Sequence, residues 1–130
     1  MRRETLRRWL PFIIWVAIIF IVSSIPRLSG EKFGMPLGAD KVAHFIEYAV
    51  LGFLMYRGER GARWRLGLPA WALVMAVGLG IAMADEYHQR YVPGRDSNAL
   101  DWATDAAGVA VGTLFGMRRY RSIASGAEKT

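Results

Sequence analysis

Apolar residues fall into four blocks along the chain, separated by stretches rich in charge, glycine or proline. The first block runs from Trp9 to Ile25 behind Arg2, Arg3, Arg7 and Arg8. It predicts a membrane span, somewhat short of the ~20 residues that a bilayer core asks for. Pro11 falls in the first turn of that span, where its missing N–H costs little. A cleaved signal peptide also starts with basic residues and an apolar core, but Pro26 follows at once and further apolar blocks come later, so an uncleaved first span is expected. Pro26 to Ala39 holds Pro26, Pro36, Gly30, Gly34 and Gly38 and reads as a loop. Asp40 then caps a second helix reaching Tyr56. Only its second half is apolar, so it spans a membrane only with its polar face turned to protein or a wet cavity. The third block, Leu66 to Ala84, follows a basic turn (Arg57, Arg60, Arg63, Arg65) and is rich in alanine and glycine, which let membrane helices approach closely. The fourth runs from about Ala99 to Met117 and ends in a polar tail expected to be loose.

The third and fourth blocks bracket the most heavily charged part of the chain, Ala84 to Asp105, which reads as a loop beside two membrane segments. Ionisable groups next to hydrocarbon are costly and mark function. On the second helix, Asp40, His44, Glu47 and Tyr48 are spaced by three and four and share a face, with Lys41 beside them. On the fourth, Asp101 and Asp105 lie one turn apart, about 5.4 Å along the axis. Gly108, Gly112 and Gly116 continue that spacing and predict a tight helix contact. Glu86 and Gln89, with Asp85, sit where the third helix ends. Pro93-Gly94 suits a type II turn that folds Arg95 back towards these faces.

The chain has 130 residues, enough for one domain, and a net charge of +6. Its arginines flank apolar blocks, so the basic balance points to a membrane and not to nucleic acid. With four spans, the N-terminus, the loop after the second helix and the C-terminus share one side and hold twelve of the seventeen basic residues. Basic residues prefer the cytoplasm, so both termini are expected inside and both polar clusters at the outer end. The predicted fold class is thus an all-α membrane protein, a four-transmembrane-helix bundle with both termini cytoplasmic. Its spans are expected near 9–25, 40–56, 66–84 and 99–117, in one domain over 1–130. There is no cysteine, which removes disulfides and thiolate chemistry.

Three of these stretches together carry a resemblance: D-K-x-x-H-F-x-x-Y at Asp40–Tyr48, D-E-x-x-Q-x-Y-x-P-G-R at Asp85–Arg95, and D-x-x-x-D-x-x-G-x-x-x-G at Asp101–Gly112. The chain resembles the VanZ-like family from Ile25 to Gly116. The family pattern often has a larger aromatic where Tyr91 stands and an amide where Asp105 stands, which puts in doubt any role needing a carboxamide at Asp105. The resemblance implies a small multi-pass protein of the bacterial inner membrane. It also implies a link to the cell envelope and to resistance against the glycopeptide teicoplanin, and it supplies no mechanism.

The residues leave several chemistries open. A binding or handling role draws on Asp40, Lys41, His44, Glu47, Tyr48, Asp85, Glu86, Gln89, Arg95, Asp101 and Asp105. In it Arg95, with Lys41 and Arg90, would hold a phosphate or carboxylate of a lipid-linked or peptidoglycan precursor. An intramembrane hydrolase or transferase would rely on His44 and a carboxylate such as Glu86. A metal hydrolase would draw on His44, Glu47, Glu86, His88, Asp101 and Asp105, but no tight two-histidine spacing is present, so no metal and no cofactor is expected. The plainer alternative is that the charges pair off to lock four short helices together, Arg95 with Asp101 or Glu86 and Lys41 with Glu47. Membrane lipid is the expected partner, and nucleic acid is not.

Overall fold

The structure is a computed structural model that describes residues 2–26, 38–59, 69–95 and 99–127. It is all-helical, with four helices and no strand among the described residues: α1 (Arg2–Ser23), α2 (Ala39–Glu59), α3 (Ala70–Gln89) and α4 (Ala99–Ala127).

Each of the four helices differs in extent from the span expected. Helix α1 begins at Arg2, so Pro11 lies inside it and not in its first turn. The position still deprives one carbonyl, four residues back, of its donor. Helix α2 begins at Ala39, after Gly38 with φ +89°, so Asp40 lies in the first turn rather than at the cap. A carboxylate there still complements the helix dipole. Helix α3 starts after Pro69 and continues through Asp85 and Glu86 to Gln89, so the first part of the charged stretch is helix and not loop. Helix α4 runs on through Arg118 and Arg119 to Ala127, where the sequence predicts a loose tail. Its 29 residues make it about 43 Å long, against about 30 Å for a bilayer core. The loop expected at Pro26–Ala39 and the basic turn at Arg57–Arg65 lie largely outside the described residues.

Helix α2 packs against all three other helices, most extensively against α4. The reason is the glycine stripe. A Cβ on Gly108 would stand 2.5 Å from the carbonyl oxygen of Phe45, and one on Gly112 would run into the main chain of Ala49. Gly116 lies against the Tyr56 ring. Helix α2 answers with Gly52, which rests on the backbone of Val109 and Thr113. Val109 also packs on Gly78 of α3, so one buried side chain fills the junction of three helices. Ile19, Tyr48, Leu51 and Ala82 complete this core.

Side-chain contacts show which helix ends meet. Ser23 and Ser24 at the end of α1 touch Gln89 and His88 at the end of α3, while Lys41 and His44 at the start of α2 touch Asp101 and Asp105 at the start of α4. At the opposite end, Trp9 of α1 covers Gly58 of α2, and Phe53 of α2 meets Phe115 and Tyr120 of α4. The chain therefore runs up, down, up and down. By length and apolar composition α1 (Arg3–Ser23) and α3 (Ala70–Gln89) can each cross a membrane. The outward flank of α1 carries Leu6, Leu10, Ile13, Ile14, Ile18 and Ile21, a face that hydrocarbon would cover without cost.

Candidate functional site

The polar residues singled out in the sequence gather where α1 and α3 end and α2 and α4 begin. Three interactions tie α2 to its neighbours. The Lys41 ammonium pairs with Asp101, and its distance to Asp40 is 3.5 Å. His44 Nδ1 lies 3.0 Å from Asp105 Oδ1. Tyr48 donates its hydroxyl to Asp85 Oδ2 at 3.2 Å. Lys41, His44 and Tyr48 are spaced by three and four, so one stripe of α2 addresses α4 and then α3. Gln89, one turn beyond Asp85, donates to the same Oδ2 at 2.9 Å and to Ser23 Oγ at 3.3 Å, which joins α1 to the cluster. Glu47 is half-buried on the same side of α2 and feels the charges of His44, Asp85, Asp105 and Arg95. Its own backbone carbonyl accepts the indole N–H of Trp15 at 2.9 Å.

The turn predicted at Pro93-Gly94 is present. Arg95 N–H closes it onto the Val92 carbonyl at 3.2 Å, and Gly94 has the positive φ, +77°, that the second central position of a type II turn demands. The turn brings Arg95 back onto the cluster, where its guanidinium donates to the Val22 carbonyl at 3.1 Å. One of the last carbonyls of α1 is thus met by a cation, the favourable sign for that end of the helix dipole.

One expected pairing comes out differently. Lys41 pairs with Asp101 and Asp40 and not with Glu47, because its stripe of α2 faces α4. Of the three cations named for an anion, Lys41 is drawn to Asp101, the Arg95 guanidinium donates to the Val22 carbonyl, and Arg90 is exposed. Asp85 and Asp105 instead stand out, each 1% exposed. Asp85 Oδ1 and Asp105 Oδ2 have no hydrogen-bond partner among the described residues. An ionised carboxylate only accepts, so each of these residues keeps an unfilled acceptor inside the bundle.

Two further residues contribute that carry no motif of their own. Ser23 is an acceptor for Gln89, and Ser24 meets His88 Nε2 at 2.9 Å. The Ser24 hydroxyl spends its one proton on the Phe20 carbonyl at 2.6 Å, so His88 is the donor and does not serve Ser24 as a base. A run of serines closing an apolar helix is the only trace these contacts leave in the sequence. Among the described residues, no three His, Asp or Glu side chains gather closely enough to hold a metal ion.

The VanZ/LLP1 family model matches residues 5–119, nearly the whole chain. The chain belongs to the VanZ/LLP1 family. That makes it a membrane protein of a family associated with glycopeptide resistance. No curated protein and no solved structure matches the chain. In this VanZ/LLP1 member the D-K-x-x-H, D-E-x-x-Q and D-x-x-x-D motifs meet in space: the second residue of the first holds the first Asp of the third, and its His holds the second.

Proposed function

We propose that the chain is a four-span protein of the bacterial inner membrane, with both termini in the cytoplasm and the polar cluster open to the outer face. There it binds or handles a component of the cell envelope, and through that role it protects against glycopeptides such as teicoplanin. The alternating course of the helices supports the topology, since it gathers Arg3, Arg7, Arg8, Arg57, Arg118 and Arg119 at one end and the polar cluster at the other. Helices α2 and α4 are too polar to cross lipid alone. Their charged faces, however, are turned to each other and to α3, which is how such helices become tolerable in a membrane.

The observation that carries the binding role is the pair of buried acceptors, Asp85 Oδ1 and Asp105 Oδ2. A pure lock between helices would be satisfied within itself. Here each carboxylate keeps an oxygen for a donor, and the hydroxyl or amine groups of a lipid-linked saccharide or peptide are such donors. His44 adds a second reading. With Asp105 ionised, Nδ1 carries the proton and Nε2 is a base held in a fixed orientation, the arrangement of a general acid–base group. That favours a hydrolase or transferase acting on the same ligand, with His44 as the catalytic group among the carboxylates of Asp105, Glu47 and Asp101.

Expression in a susceptible bacterium tests the binding role. Cells carrying the protein should survive higher teicoplanin concentrations. Asp85→Asn and His44→Gln should accumulate in the membrane yet lose that protection. Full protection from both variants would overturn the proposal.

A further inference from the structure

A second concavity lies outside the polar cluster, on the flank between α3 and α4. It has a volume of about 480 Å³ and is lined by Met83, Glu86, Tyr87 and Arg90 from α3 and by Ala99 and Trp102 from α4. Along α3 these residues are ordered by depth. Met83 is deepest, Glu86 and Tyr87 are one turn out, and Arg90 stands at the rim, about 10 Å from Met83. On α4, Ala99 is at the rim and Trp102 one turn deeper. Met83 and Tyr87 are 62% and 58% exposed, so the cleft opens sideways and not into the core.

Its chemistry changes with depth in the same order. The deep part is the thioether and chain of Met83, which suit hydrocarbon. In the middle, the Trp102 indole N–H is buried and has no hydrogen-bond partner among the described residues. It can only donate, so it asks for a neutral acceptor such as an ester carbonyl. At the rim, the exposed Arg90 guanidinium is shaped for a phosphate. Hydrocarbon, then a neutral acceptor, then a phosphate is the order of groups in a phospholipid.

We propose that the α3–α4 cleft is a specific binding site for a phosphate-headed lipid, with the acyl chain along Met83, an ester carbonyl on Trp102 and the phosphate on Arg90. The site is distinct from the Asp85–Asp105 cluster and rests on the reading that this end of the bundle lies at a membrane surface. Glu86 of the cleft follows Asp85 directly in α3, so a lipid in the cleft would lie beside the polar cluster.

The test uses the full chain in a neutral detergent, with dioleoyl phosphatidic acid, dioleoylglycerol and inorganic phosphate as probes and native mass spectrometry as the readout. Phosphatidic acid should bind, dioleoylglycerol should bind at least about tenfold more weakly for want of the charge-assisted contact, and inorganic phosphate should not displace the lipid. Arg90→Gln should weaken phosphatidic acid about tenfold and leave dioleoylglycerol unchanged; Trp102→Phe should weaken both a few-fold. Since the chain has no cysteine, Met83→Cys supplies a single thiol, and phosphatidic acid should slow its alkylation. Equal binding of phosphatidic acid and dioleoylglycerol, displacement by inorganic phosphate, or no protection of the thiol would each overturn the proposal. These readouts need no antibiotic, so their failure is separate from any failure of the protective role.

Discussion

Tyr48 of α2 donates its hydroxyl to Asp85 of α3 at 3.2 Å, and both residues are sealed from solvent. A phenol from α2 and a carboxylate from α3 are thus joined by a hydrogen bond inside the core. Gln89 supplies a second donor to the same oxygen. Tyr48→Phe keeps the ring and removes the donor, so it should cost about 1–3 kcal/mol, as expected when a buried acceptor loses a partner. The comparison is Leu51→Val, in the same core, which touches packing alone and should cost about 1 kcal/mol. Unfolding by SDS titration in detergent measures both.

The contact of α2 with α4 depends on the absence of side chains at particular points. Gly112→Ala would press a Cβ into the main chain of Ala49, which has no rotamer with which to give way. Its expected cost is about 1–3 kcal/mol in the same titration. Ala49→Gly should not rescue it, because the obstruction is backbone. Gly80→Ala meets nothing within 4 Å and should be neutral or stabilising by up to about 1 kcal/mol.

Both of these relationships were partly legible in the sequence, for different reasons. The glycine stripe keeps one spacing, Gly108, Gly112 and Gly116, and a period survives whatever the surroundings are. The polar faces of α2 and α4 were legible for the same reason: Lys41, His44 and Tyr48, or Asp101 and Asp105, recur at helical spacing. The end of α3 was not. Asp85 and Glu86 follow an apolar run directly, and charge after an apolar run looks alike whether the helix stops or continues into a buried polar site. Partner choice was also hidden. Lys41 with Glu47 is a reasonable pair on one helix, but the packing of α2 on α4 puts Asp101 closer, and only tertiary structure decides between them. The Ser24–His88 contact joins positions 64 residues apart with no shared period, so nothing local announces it.

The proposed membrane orientation rests on the distribution of basic residues. Reporter fusions after Lys32 and after Ser97 should report the outer side, and fusions after Arg60 and at the C-terminus the inner side. Among the described residues, α1 and α3 end and α2 and α4 begin at the polar end, while the last turns of α2 lie at the opposite end. An inside signal after Ser97 would remove the outward-facing site.

The central claim is that the polar cluster is a working site and not only a clasp between helices, and paired substitutions at Arg95 and Glu86 test it most directly. Arg95 reaches the cluster through its turn onto Val22, and Glu86 follows Asp85 directly in α3 and is buried where that helix meets α4. Arg95→Ala and Glu86→Gln should each abolish protection against teicoplanin while the protein still inserts and accumulates. The double change Arg95→Met with Glu86→Met removes both charges and keeps the volume, so it should accumulate at least as well as the native chain. The decisive measurement is the teicoplanin concentration that cells carrying this double variant survive, at matched protein levels. Survival no better than that of cells without the protein is expected; protection equal to that of the native chain would mean that the cluster is only a clasp between helices.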